Sequence, residues 1–331
     1  MSIGIFLLVA LIKSVIVLVI LLTGFAYATL LERKLVAGMQ VRFGPNRVGP
    51  WGMLQPLADG IKLAFKEDSA PRGADKIVFS LAPLISVVMA LSAFAVIPIG
   101  PTVTIFGQPI GLEVADVNIS VLYVLGATSL GIYGIVLAGW ASNNKYSLLG
   151  GVRSTAQMIS YELALGLSLV GVLMITGTLR LTDIVNAQSS TWFIFLQPLG
   201  FIIYFISALA ETNRAPFDLP EAETELVAGY HTEYSGMKFA MFFMAEYINM
   251  ITVSAVATTL FLGGWHGLFG LADGPWWFFL KVFALMCVFV WLRATLPRLR
   301  YDRLMNFGWK VLLPLALLNI VLTAGGILIL T

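Results

Sequence analysis

Long apolar runs alternate with short stretches rich in glycine, proline and charge along the whole 331-residue chain. A helix needs about 20 mostly apolar residues to cross the hydrocarbon of a bilayer. Eight runs reach that length, at roughly 3–31, 77–99, 119–140, 157–178, 192–212, 237–262, 276–296 and 308–330. Breaks such as Gly44-Pro45-Asn46 and Gly274-Pro275 separate them. A transmembrane barrel would instead show ten-residue segments of alternating polarity, and the chain has none. The pattern predicts an all-α polytopic membrane helix bundle of about eight transmembrane helices. It forms one integral membrane domain over 1–331, with loops 32–76, 141–156, 213–236 and 297–307 on one side.

The first of these loops carries a second kind of pattern. Leu54, Leu57, Ile61, Ala64 and Phe65 recur at helical spacing, and Gln55, Asp59, Lys62 and Lys66 form a polar stripe between them. An amphipathic helix lying in the membrane interface is expected there. Packing of the same helix against other loops would produce the same pattern. The first apolar run ends in Ala26-Tyr27-Ala28, which mimics a signal-peptidase site, but no basic residue precedes Lys13 and Arg33-Lys34 follow the run. A cleaved signal has the opposite asymmetry, so this run is expected to stay as a span.

Composition agrees with the pattern. The chain is 59% hydrophobic and 11% charged, with a mean hydropathy of +0.90. A soluble protein carries about 25% charged residues. A net charge of +2 gives no global basic surface for nucleic acid. The single cysteine, Cys287, excludes a disulfide framework, a thiolate iron–sulfur cluster and a cysteine-based zinc site. His231 and His266 fall in loops on opposite sides and cannot be paired axial ligands of a haem. No G-x-G-x-x-G or Walker pattern is present. The expectation is no redox centre, no bound cofactor and no metal.

Lysine and arginine set the orientation. Loop one holds Arg33, Lys34, Arg42, Arg47, Lys62, Lys66, Arg72 and Lys76. Loop three holds Lys145 and Arg153, loop five Arg214 with Lys238 at its edge, and loop seven Arg298, Arg300 and Arg303. Loops two, four and six hold Arg180 alone. By the positive-inside rule the odd loops are cytoplasmic and both termini lie on the non-cytoplasmic side. The expected location is the cell inner (plasma) membrane, crossed several times.

Three glutamates lie within the runs: Glu162, Glu211 and Glu246. A carboxylate at a helix centre costs about 2.5–3.5 kcal/mol on insertion scales, so each needs a partner, water or a function. All three fall in the cytoplasmic half, with Glu162 and Glu246 roughly 8 to 14 Å in from their span ends at 1.5 Å per residue. Glu32 extends the set. One reading is a hydrated path for protons, extended by Tyr161 and Tyr247. The other pairs each glutamate with a cation such as Arg33, Arg293 or Lys13. Lys13 is placed as a counter-ion or facing a crevice, while Lys281 and Arg293 are expected to snorkel from the two ends of span seven. Loop five, from Glu211 to His231, carries Asp218, Glu221, Glu223 and Glu225 with Phe217, Leu219 and Leu226, which argues for a structured loop.

Two motifs in these loops carry a resemblance. The first is Gly52-Met-Leu-Gln-Pro-Leu-Ala-Asp59-Gly-Ile-Lys62-Leu-Ala-Phe-Lys66-Glu67, preceded by Glu32-Arg33-Lys34. The second is Pro216-Phe217-Asp218-Leu-Pro-Glu221-Ala-Glu223-Thr-Glu225-Leu-Val-Ala-Gly229. With Ser142-Asn-Asn-Lys145-Tyr-Ser147 and Met244-Ala-Glu246-Tyr247, they make the chain resemble, over its full length, the family of the H subunit of NADH-quinone oxidoreductase. That is the membrane subunit of respiratory complex I at the junction with the peripheral arm.

The resemblance implies a quinone chamber closed against iron–sulfur peripheral-arm subunits, and a proton path leading from it toward other membrane-arm subunits. It implies that Glu32, Glu162, Glu211 and Glu246 belong to that path, with the acidic loop of Asp218, Glu221, Glu223 and Glu225. Arg33, Gln55, Asp59, Lys62 and Phe217 are implied at the quinone chamber or its entrance. Residues 119–140 hold no carboxylate, unlike some members of the family, so the path has no acid of its own in span three. Quinone is the implied substrate and lipid the surrounding solvent. Three other readings stay open on the residues: the matching component of a membrane-bound hydrogenase or non-NADH dehydrogenase, a stand-alone proton-coupled transporter, and a structural anchor.

Overall fold

The outermost helix, α1 (Ile3–Met39), has 37 residues and is about 55 Å long, nearly twice the hydrocarbon thickness of about 30 Å. It therefore carries Glu32 and Arg33 out at the end of the bilayer rather than stopping at residue 31. The structure, a computed structural model, describes residues 3–105, 108–218, 228–267 and 272–330.

After α1 come the interfacial helix α2 (Gln55–Ala64), α3 (Lys76–Ala93), a short antiparallel hairpin of β1 (Val103–Ile105) and β2 (Gln108–Ile110), and α4 (Ser120–Ala141). Then follow α5 (Lys145–Thr176), α6 (Leu181–Ala187), α7 (Phe193–Leu196) and α8 (Pro198–Glu211). The chain finishes with α9 (Gly236–Phe261), α10 (Pro275–Thr295), α11 (Tyr301–Phe307), a π-helical turn at Gly308–Leu312 and α12 (Leu313–Leu330). Local chemistry marks several of these ends. The Asp75 carboxylate caps α3 by accepting from the N–H groups of Ile77 and Val78, and Asn144 caps α5 by accepting from Tyr146. Gly177, at φ 67°, ends α5 in the left-handed region.

Seven helices among the described residues are long and apolar enough to cross a membrane, so the helical bundle expected from the sequence is present. The run at 192–212 differs from expectation. It is broken at Gln197-Pro198 into α7 and the 14-residue α8, which at about 21 Å is shorter than a full crossing. The Gln197 side chain fills the break by donating to the Thr323 hydroxyl at 2.8 Å and accepting from the Asn319 amide at 3.0 Å. Hydropathy does not show this, because apolar residues flank the break on both sides. The helix α5 also starts 12 residues before the expected span, which places Glu162 about 25 Å along it rather than 8–14 Å.

Two faces result. The basic face carries loop 40–75, the α4–α5 turn, the segment after α8 and residues 296–300. The opposite face carries the hairpin, α6 and the α9–α10 connection. The basic-face segments bond to one another, as in the Leu299 N–H to the Pro216 carbonyl (2.9 Å) and Ser147 to the Tyr230 carbonyl (3.0 Å). So do the opposite-face segments, as in Gln188 to the Thr259 carbonyl (2.8 Å).

Two lysines stand on the opposite side of the bundle from most of the basic residues, and both are fixed. Lys281 does not snorkel: it is buried, donates to the carbonyls of Leu262 (2.5 Å), Gly264 (3.0 Å) and His266 (2.7 Å), and lies 4.2 Å over the Trp192 ring. It closes the C-terminal end of α9, where free carbonyls favour a cation. Lys13 donates to the Glu113 carbonyl at 3.0 Å and ties α1 to the loop before α4. Nearby, Arg180 grips Asp116 with two nitrogens and holds that carboxyl below the usual range, whereas burial and the Asp116 charge push the Glu113 carboxyl up.

Helices in lipid pack closely where small residues meet. Gly139 on α4 faces Gly151 on α5, and a Cβ on Gly150 would lie 2.6 Å from the Gly229 Cα. Gly126, on the same bundle, has nothing within 4 Å of an added Cβ. Gly150→Ala is therefore expected to cost about 1–3 kcal/mol and lower the thermal midpoint of the assembled protein by several degrees, with Gly126→Ala unchanged. Equal midpoints for the two variants would contradict the close α5 seam.

Candidate functional site

Burying a carboxylate requires compensation in place. Glu32, at the far end of α1, receives it from three directions. Arg214 Nη1 donates to Oε2 at 3.0 Å, Tyr247 Oη donates to Oε2 at 2.7 Å, and Arg293 Nη1 donates to Oε1. Arg214 also faces Glu246, with Nε 2.6 Å from Oε1, and its guanidinium lies 4.3 Å over the Tyr247 ring. Only 3% of Arg214 is exposed. Burial alone would lower its pKa, but Glu246, Tyr247 and Glu32 outweigh burial and hold it charged. One cation thus joins α1, the turn after α8 and α9.

The turn that presents Arg214 is itself held by Gln157 on α5. This fully buried amide donates to the carbonyls of Ala210 (2.9 Å) and Phe217 (2.8 Å). Asn213 turns the chain there at φ 49°, a left-handed conformation that asparagine tolerates. Phe217 packs in the core against Tyr161, with ring centroids 5.4 Å apart.

Past Arg214, Glu246 and Glu211 line a cavity together with Ser86, Thr128, His231 and Asn249. It offers 40 Å³ to water centres, room for roughly three waters. The side-chain amide oxygen of Asn249, Oδ1, is buried without a partner among the described residues. Glu211 is reached by the Thr128 hydroxyl and feels the charge of Glu162, and Glu162 accepts from the Ser129 hydroxyl. The span that has no carboxylate, α4, therefore supplies hydroxyls to the acids of its neighbours. The four glutamates line up as Glu32, Glu246, Glu211 and Glu162. The first two share Arg214, while the other two are met by hydroxyls.

Two clefts run beside α1. The first, of 570 Å³, is lined near the basic face by Glu32, Arg33, Gln40, Arg42, Phe43 and Arg293. The second, of 340 Å³, lies further along α1 and is lined by apolar side chains, including Leu21, Ala28, Ile251, Phe278 and Met286. Over the first cleft, Arg33 pairs with Asp59 of α2 at 2.6 Å, and Gln55 donates to Asp59 at 3.1 Å. Lys62 is exposed. The apolar stripe of α2 is also exposed, with Leu57 at 62% and Phe65 at 87%.

The expected residues separate accordingly. Glu32, Glu246, Glu211 and Glu162 come together, and so do Arg33, Gln55 and Asp59. Asp218 pairs with Arg298 at 3.1 Å. Glu221, Glu223 and Glu225 lie outside the described residues. Tyr247 does extend the glutamate chain, but Tyr161 does not: its hydroxyl donates to the Leu304 carbonyl at 2.9 Å. Arg293 pairs with Glu32 rather than snorkelling. The central role of Arg214 was missed, although a lone arginine among five acids was its signal. His231, Thr128, Ser129 and Asn249 carry no sequence signal of their own.

Comparisons with known proteins show the family. The family described as NADH dehydrogenase matches residues 12–324. The H subunit of NADH-quinone oxidoreductase from Protochlamydia amoebophila is 59% identical over 303 residues, covering 91% of this chain and 92% of its own. Its counterpart in Thermomicrobium roseum, of the same name, is 58% identical over 327 residues, 96% of this chain and 95% of that one. A third such protein, from Geobacter metallireducens, is 55% identical over 323 residues, 96% of each. The chain belongs to the NADH dehydrogenase family of membrane subunits, among relatives that are H subunits of NADH-quinone oxidoreductase.

Proposed function

We propose that this chain, a multi-pass membrane subunit of NADH-quinone oxidoreductase, couples quinone reduction to proton movement through the Glu32–Arg214–Glu246 chain. The basic face is the cytoplasmic one and docks the peripheral arm, whose iron–sulfur subunits deliver the electrons. The charged cleft at Arg33, Arg42 and Arg293 forms part of the wall of the quinone chamber. The apolar cleft further along α1 suits an isoprenoid tail, and α2 lies in the interface above it, with Leu57, Ile61 and Phe65 toward lipid. A polar head with a long apolar tail matches this pairing of clefts on one helix.

The observation that carries the reading is the buried ionic chain joining the charged cleft to the Glu211 cavity. Reducing a quinone requires two protons and creates negative charge in a low-dielectric chamber. A new charge beside Arg293 and Glu32 competes for the cations that hold Glu32 and Glu246. The disturbance passes through Arg214 to the waters at Glu211, and Glu211 and Glu162 exchange the proton. Redox chemistry on one side of Arg214 and proton transfer on the other are thus linked by one guanidinium, with other membrane-arm subunits taking the proton onward.

Two outcomes test this. In the assembled complex, Glu246→Gln is expected to lower NADH–quinone turnover at least tenfold while reduction of a water-soluble acceptor by the peripheral arm is unchanged. Wild-type turnover and proton pumping in that variant would contradict the proposal. Arg214→Met removes the cation that Glu32 and Glu246 share, leaving Arg293 on Glu32, and is expected to cost about 3–5 kcal/mol, read as loss of assembled complex. Adding Glu32→Gln and Glu246→Gln to Arg214→Met should restore assembly without restoring turnover. Restored turnover would show that the ionic chain serves stability alone.

A further inference from the structure

The Glu211 cavity has a second neighbour, on the side away from the ionic chain. A smaller cavity shares Glu211 and Thr128 with it and runs toward the opposite face. Its walls are Val121, Val124, Leu169, Val256 and Leu260, with Thr252 at the edge nearer Glu211. From Thr252 to Leu260 along α9 is about 12 Å. At the far end, the Val121 N–H bonds the Leu179 carbonyl at 3.1 Å, next in sequence to the exposed Arg180–Asp116 pair.

The two cavities differ in kind. The first is lined by two carboxylates, a histidine, two asparagines and hydroxyls, while the second is mostly hydrocarbon. The second offers 20 Å³ to water centres, room for one or two waters, whereas genuinely empty protein cavities are the apolar ones. Thr252 is fully buried, and its hydroxyl has no partner among the described residues, so it can hold a water on the Glu211 side. Beyond it the one polar side chain among the lining residues is Tyr204, whose buried hydroxyl is taken up by donating to the Val253 carbonyl at 2.9 Å. A proton needs a continuous chain of hydrogen-bonding groups, and a bare charge in hydrocarbon is prohibitively costly.

We infer that Val124, Leu169, Val256 and Leu260 form a dry seal that ends this chain's proton path at Glu211 and prevents it from opening to the opposite face. The inference rests on the proposed proton path. It adds a hydrocarbon barrier between Glu211 and the opposite face, built by these four side chains. Without the seal, the gradient built by the complex would drain back through the same glutamates.

The test uses the whole complex in sealed liposomes and reads passive proton leak, with no NADH present, separately from NADH–quinone turnover. Val124→Thr with Val256→Thr places hydroxyls in the shaft at nearly constant shape. Leak is expected to rise at least tenfold, the steady-state pH gradient to fall, and turnover to stay within twofold of wild type. Leu169→Asn, read alone, should leak similarly, and Leu260→Met should not leak. If both polar variants assemble and remain as tight as wild type, the seal is refuted. Glu211→Gln separates this result from the proton path itself. In the leaky background it should reduce the leak, and on its own it should reduce turnover. Unchanged turnover in Glu211→Gln would overturn the path, while a leak in the threonine variant would still establish the barrier.

Discussion

A guanidinium buried between two carboxylates is the constraint on which the basic-face half of the bundle depends. Arg214 is nearly inaccessible, and it is the cation that buried Glu32 and partly buried Glu246 share. Removing one member of such a group leaves an uncompensated charge in a medium that solvates it poorly. The surrounding structure serves this arrangement. The long α1 extends far enough to bring Glu32 in, α9 supplies Glu246 and Tyr247, and α10 supplies Arg293. Gln157 fixes the turn that aims Arg214.

The same arrangement divides the four glutamates by role. Glu32 and Glu246 are held by arginine, Glu246 by Arg214 and Glu32 by Arg214 and Arg293. Glu211 and Glu162 have hydroxyls from Thr128 and Ser129 instead, and no arginine or lysine contacts them among the described ion pairs. A charge change near Arg293 therefore disturbs the locked pair first and the hydroxyl-bound pair next. In the proposed coupling, the direction follows from the type of partner each carboxylate has. The apolar shaft beyond Glu211 gives that direction an end.

Much of the fold was legible in the sequence because lipid imposes one rule, that a crossing segment be long, apolar and helical. The positions of α1, α3, α4, α9, α10 and α12 follow from it, and helical spacing alone found α2. Hydropathy failed where side-chain hydrogen bonds decide the backbone: it could not see that Gln197, Asn319 and Thr323 stabilise a break before Pro198. The acids of the site were legible because buried charge is rare in a membrane. Their partners were not, since Arg214 is some 180 residues from Glu32 and 32 from Glu246, and no periodicity reports such contacts. Lys281 looked like a snorkelling residue for the same reason, because its carbonyl partners belong to the end of another helix.

The central claim, that quinone chemistry at one end of the ionic chain moves a proton at Glu211, can be observed directly. Infrared difference spectra of the assembled complex, recorded between oxidised and reduced quinone, report carboxyl groups that gain or lose a proton. A carboxyl band that responds to quinone reduction is expected in the wild type. It should be missing in Glu211→Gln, and also in Glu246→Gln, where the link to Glu211 is cut. A band that persists unchanged in both variants would show that the proton coupled to quinone reduction does not pass through this chain of residues.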